Sequence, residues 1–86
     1  MEVFFYGNVL DFTNSEKYYK TMNCLNVGEL VDELGGYYGK HFKDFLLGEN
    51  TCFFLVNGMG IMMTGGRNTK LQAGDKIEVL PFADAG

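Results

Sequence analysis

Apolar and polar positions follow two different periods along this chain, and the changes of period mark out its elements. Glu2-Val3-Phe4-Phe5-Tyr6-Gly7 is rich in aromatic and β-branched side chains and ends at a glycine, which predicts a strand central in its sheet with both faces largely covered. Asn8 to Asn14 reads as a turn or short helical piece. Glu16-Lys17-Tyr18-Tyr19-Lys20-Thr21-Met22 carries the interleaved charges of a strand near the surface. The period then changes: Val27, Leu30, Val31, Leu34, Tyr37 and Tyr38 fall at i, i+3, i+4, i+7, i+10 and i+11, gathering on one face of a helix. Asn26 and Glu29 have the spacing of a capping box at its start, and Gly35-Gly36 predicts its end. Phe42, Phe45 and Leu46 share one side of a second short helical stretch that stops at Gly48.

Thr51-Cys52-Phe53-Phe54-Leu55-Val56 is the most apolar run and meets Asn57-Gly58, the signature of a strand entering a tight turn. Ile61-Met62-Met63 is expected to return as a short edge strand. After the turn residues Ala73-Gly74-Asp75, Lys76-Ile77-Glu78-Val79 alternates cleanly, with Ile77 and Val79 inward. By the same parity Leu80 shares the opposite face with Glu78. Pro81 ends ladder donation, and Phe82-Ala83-Asp84-Ala85-Gly86 has no period and few bulky groups. The order predicts a mixed α+β roll over residues 1–81, its first and last long strands side by side, followed by a flexible C-terminal tail over 82–86.

Length and charge narrow what such a roll can do. An 86-residue chain of net charge −4 has room for one core and no deep enclosed active site. Seven Lys and Arg that do not cluster argue against a phosphate-backbone partner. Met1-Glu2 stands where a signal peptide would carry positive charge, and no run approaches the ~18–20 apolar residues of a membrane span; a cytoplasmic protein is expected. Cys24 and Cys52 lack the spacing of a disulfide framework or a zinc site and are expected as buried thiols, with no metal bound.

Catalytic machinery is hard to find. His41 is the only histidine and lies in Lys40-His41-Phe42-Lys43, a pattern that suits a surface helix better than a general base. Gly35-Gly36-Tyr37-Tyr38-Gly39 lacks dinucleotide-loop spacing. Asp32 and Glu33 read as a hydrated surface pair rather than an acid–base dyad. Arg67, Lys70 and Lys76 read as solvated surface charges.

The opening Val3-Phe4-Phe5-Tyr6-Gly7, the helix Val27-Gly28-Glu29-Leu30-Val31-Asp32-Glu33-Leu34, the turn Leu55-Val56-Asn57-Gly58 and the closing Leu71-Gln72-Ala73-Gly74-Asp75-Lys76-Ile77-Glu78-Val79-Leu80-Pro81 with its small-residue terminus together resemble the MoaD/ThiS sulfur-carrier family. That resemblance implies a β-grasp (ubiquitin-like) fold, a mixed sheet of roughly four or five strands with one main helix on one face. It implies that the carboxylate of Gly86 becomes an acyl-adenylate on an adenylating enzyme of the ubiquitin-activating type, which uses ATP, and then a thiocarboxylate from a sulfur donor protein. The carrier itself would hold no cofactor. It would serve as the non-catalytic small subunit of molybdopterin synthase, giving sulfur to a pterin precursor in the large subunit. A thiamine-pathway carrier, a ubiquitin-like protein modifier and a β-grasp module without activation remain open alternatives, the last because the chain ends Ala85-Gly86 where the family ends Gly-Gly.

A carboxylate is a poor electrophile, so activation by an ATP-binding partner is chemically required, and the carrier need supply only a slim arm. Five residues from Phe82 to Gly86 reach at most ~17 Å when extended. Docking is expected at exposed apolar groups near the arm: Leu80, Phe82, Tyr6 and the methionines Met59, Met62 and Met63, the last three being equally compatible with edge packing.

Overall fold

A computed structural model describes residues 1–21, 24–48 and 51–82. Five strands form one sheet: β1 (Glu2–Phe5), β2 (Tyr18–Lys20), β3 (Cys52–Val56), β4 (Met59–Gly60) and β5 (Lys76–Pro81), in the order β2-β1-β5-β3-β4. β1 and β5 pair in parallel, Val3 opposite Ile77 and Phe5 opposite Val79, as expected of the first and last long strands. The other pairings are antiparallel. Two helices, α1 (Val27–Tyr38) and α2 (Lys40–Leu47), cover one face of the sheet.

Alternation places Val3, Phe5, Phe54, Ile77 and Val79 in the core, against Leu30, Val31 and Leu34 of α1 and Phe42 and Leu46 of α2. Burying these aliphatic and aromatic groups is the main driving force for the fold. Asn26 Oδ1 accepts from the Glu29 amide at 2.8 Å, while Glu29 Oε1 accepts from the Leu25 amide at 2.9 Å, a reciprocal cap close to the one expected. Asn57 and Gly58 take φ of 52° and 84°, the paired positive values of a two-residue hairpin turn. The Asn57 side chain bonds the Lys76 amide and the Asp75 carboxylate, each at 2.9 Å, and so ties that turn to the start of β5.

Several expectations are corrected. Helix α1 runs through Gly35-Gly36 and stops at Gly39, whose φ is 112°. Gly35 is there for packing: a Cβ on it would stand 2.7 Å from Lys43 Cβ on α2. The return strand is Met59–Gly60, while Ile61–Met63 forms a 3-10 turn, because a two-residue turn starts pairing at the very next residue. Strand β2 is limited to Tyr18–Lys20. Only one face of β1 is closed: Val3 and Phe5 are buried, Phe4 is half-buried and Glu2 is exposed. Tyr37 leaves the apolar face of α1 and is 62% exposed. Cys24 is buried, whereas Cys52 is only half-buried.

Asp32 and Glu33 are also not a surface pair. Asp32 is exposed and meets Lys43 at 2.8 Å across the two helices. Glu33 turns inward, accepting from the Tyr19 hydroxyl at 2.7 Å and the Cys24 thiol at 3.4 Å, with Thr21 beside that thiol at 3.4 Å. Partial burial pushes the Glu33 carboxyl up, but hydrogen bonds from Tyr19, Thr21 and Cys24 outweigh it and hold the group below its ordinary value of 4.5. Its stabilising contribution is therefore complete above that value and fades as pH falls through the folded pKa. Burial, then the bond to Glu33, holds Tyr19 up to about 12, above its ordinary value of 10.0, so its contribution is full below 10.0 and is lost as pH rises from there through about 12. Glu33→Gln is expected to cost about 1 kcal/mol at pH 7 after allowance for partial exposure, lowering Tm by about 4–8 °C. In thermal scans below pH 4.5 the gap to wild type should narrow; a gap independent of pH would contradict this.

Candidate functional site

The sheet delivers the C-terminal segment from its middle strand. β5 lies between β1 and β3, and its register sets Cys52 opposite Pro81 and Phe53 opposite Leu80. The Phe82 amide donates to the Thr51 carbonyl at 3.2 Å, and its ring lies against Phe53 with centroids 4.9 Å apart. The residue with which the expected arm begins is thus fastened to β3. Ala83, Asp84, Ala85 and Gly86 lie outside the described residues.

The face of the sheet away from the helices carries Phe4, Tyr6, Glu78, Leu80, Phe53 and Leu55 by strand parity. Its lower part is polar and held in place: the Tyr6 hydroxyl donates to Glu78 at 2.9 Å, and Lys76 lies 4.0 Å from the same carboxylate and over the Phe4 ring. The bond to Glu78 raises the Tyr6 pKa, which keeps the phenol a neutral donor. Toward the arm the face turns apolar, with Phe53 48% and Phe82 40% exposed. Around the β3 edge an open groove of about 680 Å³ is lined by Val31, Leu46, Phe54, Ile61, Met62 and Phe82, with Arg67 as the one charged residue among the described residues that line it. Cys52 also lines it. Burial raises the Cys52 pKa, so the thiol stays protonated near neutrality and is a poor nucleophile.

Of the residues singled out in the sequence, Tyr6, Leu80 and Phe82 share the open face, and Met62 joins Phe82 at the groove. Met59 lies apart, in a separate hollow with Val56, Thr64 and Lys70. Met63 is 83% exposed and borders neither. Sequence reasoning missed Phe53, because the unbroken apolar run around it hides parity; pairing that run antiparallel to Leu80 would have revealed it. His41 is exposed on α2. Among the described residues no group of three or more His, Cys, Asp or Glu side chains could hold a metal ion, and no helix is long and apolar enough to cross a membrane. What the surface offers is an apolar platform beside a departing chain.

Known proteins with this architecture include a chain of the Amycolatopsis orientalis BexX/CysO complex, similar at 21% identity with a TM-score of 0.83, covering 99% of this chain and 98% of that one. The small archaeal modifier protein 1 of Methanosarcina acetivorans aligns at 20% identity and a TM-score of 0.79, over 99% and 94% of the two chains. A putative molybdopterin converting factor subunit 1 from Pyrococcus furiosus aligns at 19% identity and a TM-score of 0.72, over 95% of each. These likenesses establish a β-grasp, ubiquitin-like fold. No curated protein sequence gives a significant match. The ThiS family model matches residues 3–84. The chain therefore belongs to the ThiS family of ubiquitin-like sulfur carriers.

Proposed function

We propose that this carrier is loaded at Gly86 and passes its sulfur to a pterin precursor in molybdopterin synthesis, as the small subunit beside a sulfurtransferase large subunit. The observation that carries the reading is the platform of exposed Phe53 and Phe82 with half-buried Leu80 where the central strand ends, next to a C-terminal sequence of small residues. A partner that takes up a slim arm needs an apolar surface at its base, because most binding energy comes from a few well-packed apolar groups.

The chemistry follows from the carboxyl group. The Gly86 carboxylate attacks the α-phosphorus of ATP on the adenylating enzyme and releases pyrophosphate. Sulfide-level sulfur supplied by the donor protein attacks the acyl carbon and displaces AMP, leaving the thiocarboxylate. After transfer to the acceptor, water restores the carboxylate. Gly86 lacks a Cβ and permits close approach of the adenylating groups. Ala85 adds a methyl; where the partner's channel requires a left-handed backbone at that position it costs about 1–2 kcal/mol, slowing activation about five- to thirtyfold.

The pathway is tested by loading the carrier with labelled sulfur and offering three acceptors separately. Label is expected in the pterin precursor in the presence of a large subunit. Label entering a thiazole, or isopeptide-linked adducts on lysines, would overturn the pterin assignment in favour of a thiamine carrier or a protein modifier.

A further inference from the structure

Strand β5 loses its hold on β1 one residue before the arm begins. The Tyr6 amide donates to the Val79 carbonyl at 3.1 Å. In a parallel ladder the next bond would run from residue 81 to the Tyr6 carbonyl, but Pro81 has no N–H. The Tyr6 carbonyl accepts from Val9 at 3.2 Å instead, and the 3-10 turn Gly7–Asp11 this helps to close brings Gly7 onto the Pro81 ring. The fit leaves no spare room. Gly7 has a φ of +60°, and a Cβ built on it would stand 2.7 Å from Pro81 Cγ and 3.1 Å from Cδ. On the other flank the Phe82 amide bonds the Thr51 carbonyl.

We infer that Gly7 is a positioning residue for the arm: the notch left by its missing side chain seats Pro81 and, with the Thr51–Phe82 bond, sets the direction in which the chain leaves the sheet. The inference rests on the carrier reading above, since aim matters only if the arm must reach a partner's reacting centre. A displacement of about 1 Å at a reacting group can cost up to ~100-fold in rate.

The test compares Gly7→Ala with Gly58→Ala. Gly58 has a φ of +84° and nothing within 4 Å of a built Cβ, so it carries the same backbone strain without the contact. With the cognate adenylating enzyme and ATP, Gly7→Ala is expected to lower kcat of pyrophosphate exchange by about ten- to a hundredfold with KM within about twofold. Gly58→Ala should match wild type. Hydrogen exchange of the Phe82 amide should quicken about tenfold in Gly7→Ala alone. Pro81→Ala, which takes the ring out of the Gly7 notch and returns an N–H that can draw residue 81 back toward the Tyr6 carbonyl, should redirect the arm and lower kcat too, and serves if Gly7→Ala does not fold. Equal losses in Gly7→Ala and Gly58→Ala, or wild-type kcat in Gly7→Ala and Pro81→Ala, would overturn the positioning role and leave the carrier reading intact. A wild-type protein that supports no exchange would overturn the carrier reading and the aiming role with it, while Phe82 exchange would still report on the brace.

Discussion

Deletion of Gly86 is expected to abolish pyrophosphate exchange by the adenylating enzyme, reducing kcat by about 1,000-fold or more while KM changes little. The deleted chain would present its carboxylate ~3.3 Å short of its working position, and misplacement of that size removes most of the benefit of holding reactants in line. It would also bring the Ala85 methyl to the reacting end. Docking should survive, because Leu80, Phe82 and Phe53 are untouched, so the deleted carrier should compete with wild type at a similar concentration. Steady-state exchange with both proteins separates the two effects. Weak competition would mean that the terminal residues supply binding energy as well as chemistry.

Phe42→Ala is expected to remove a large share of the domain's stability. Phe42 is 1% exposed and sits among Phe5, Phe12 and Tyr38, with ring centroids 5.8, 5.7 and 5.6 Å away. Its loss removes both the burial of a large ring and these edge and stacked contacts, a cost of about 3–5 kcal/mol. A domain of this length holds only about 4–13 kcal/mol in total. Thermal unfolding followed by circular dichroism should show Tm falling by at least about 12 °C. A fall of only a few degrees would mean that α2 can collapse into the vacated space.

The sequence pattern was most informative where one face alone is buried. Alternation in Lys76–Val79 and the helical spacing from Val27 to Leu34 place the buried faces correctly because polar residues separate the apolar ones, and the pairing of the first and last strands follows from the order of elements. Glycines were misleading for a physical reason. Gly35 marks the close approach of α2 and not a helix end, and single-sequence propensity cannot distinguish a residue chosen for backbone freedom from one chosen for its small size. The inward turn of Glu33 is hidden because its partners lie well before it in the chain, Cys24 by 9 positions and Tyr19 by 14, so nothing in local spacing announces a carboxylate satisfied across elements. At the candidate site, Leu80 is legible from parity and Phe82 from its place just beyond Pro81, whereas Phe53 requires knowledge of which strand lies beside β5. The methionines separated in space because a turn at Ile61–Met63 replaced the expected strand.

The central claim is tested most directly by the intact mass of the protein after incubation with its cognate adenylating enzyme, ATP and a sulfur donor. Exchange of one carboxyl oxygen for sulfur predicts a gain of about 16 Da, confined on fragmentation to the C-terminal peptide and lost after deletion of Gly86. An unchanged mass beside an enzyme that demonstrably activates another carrier, or a gain located on Cys24 or Cys52, would contradict it.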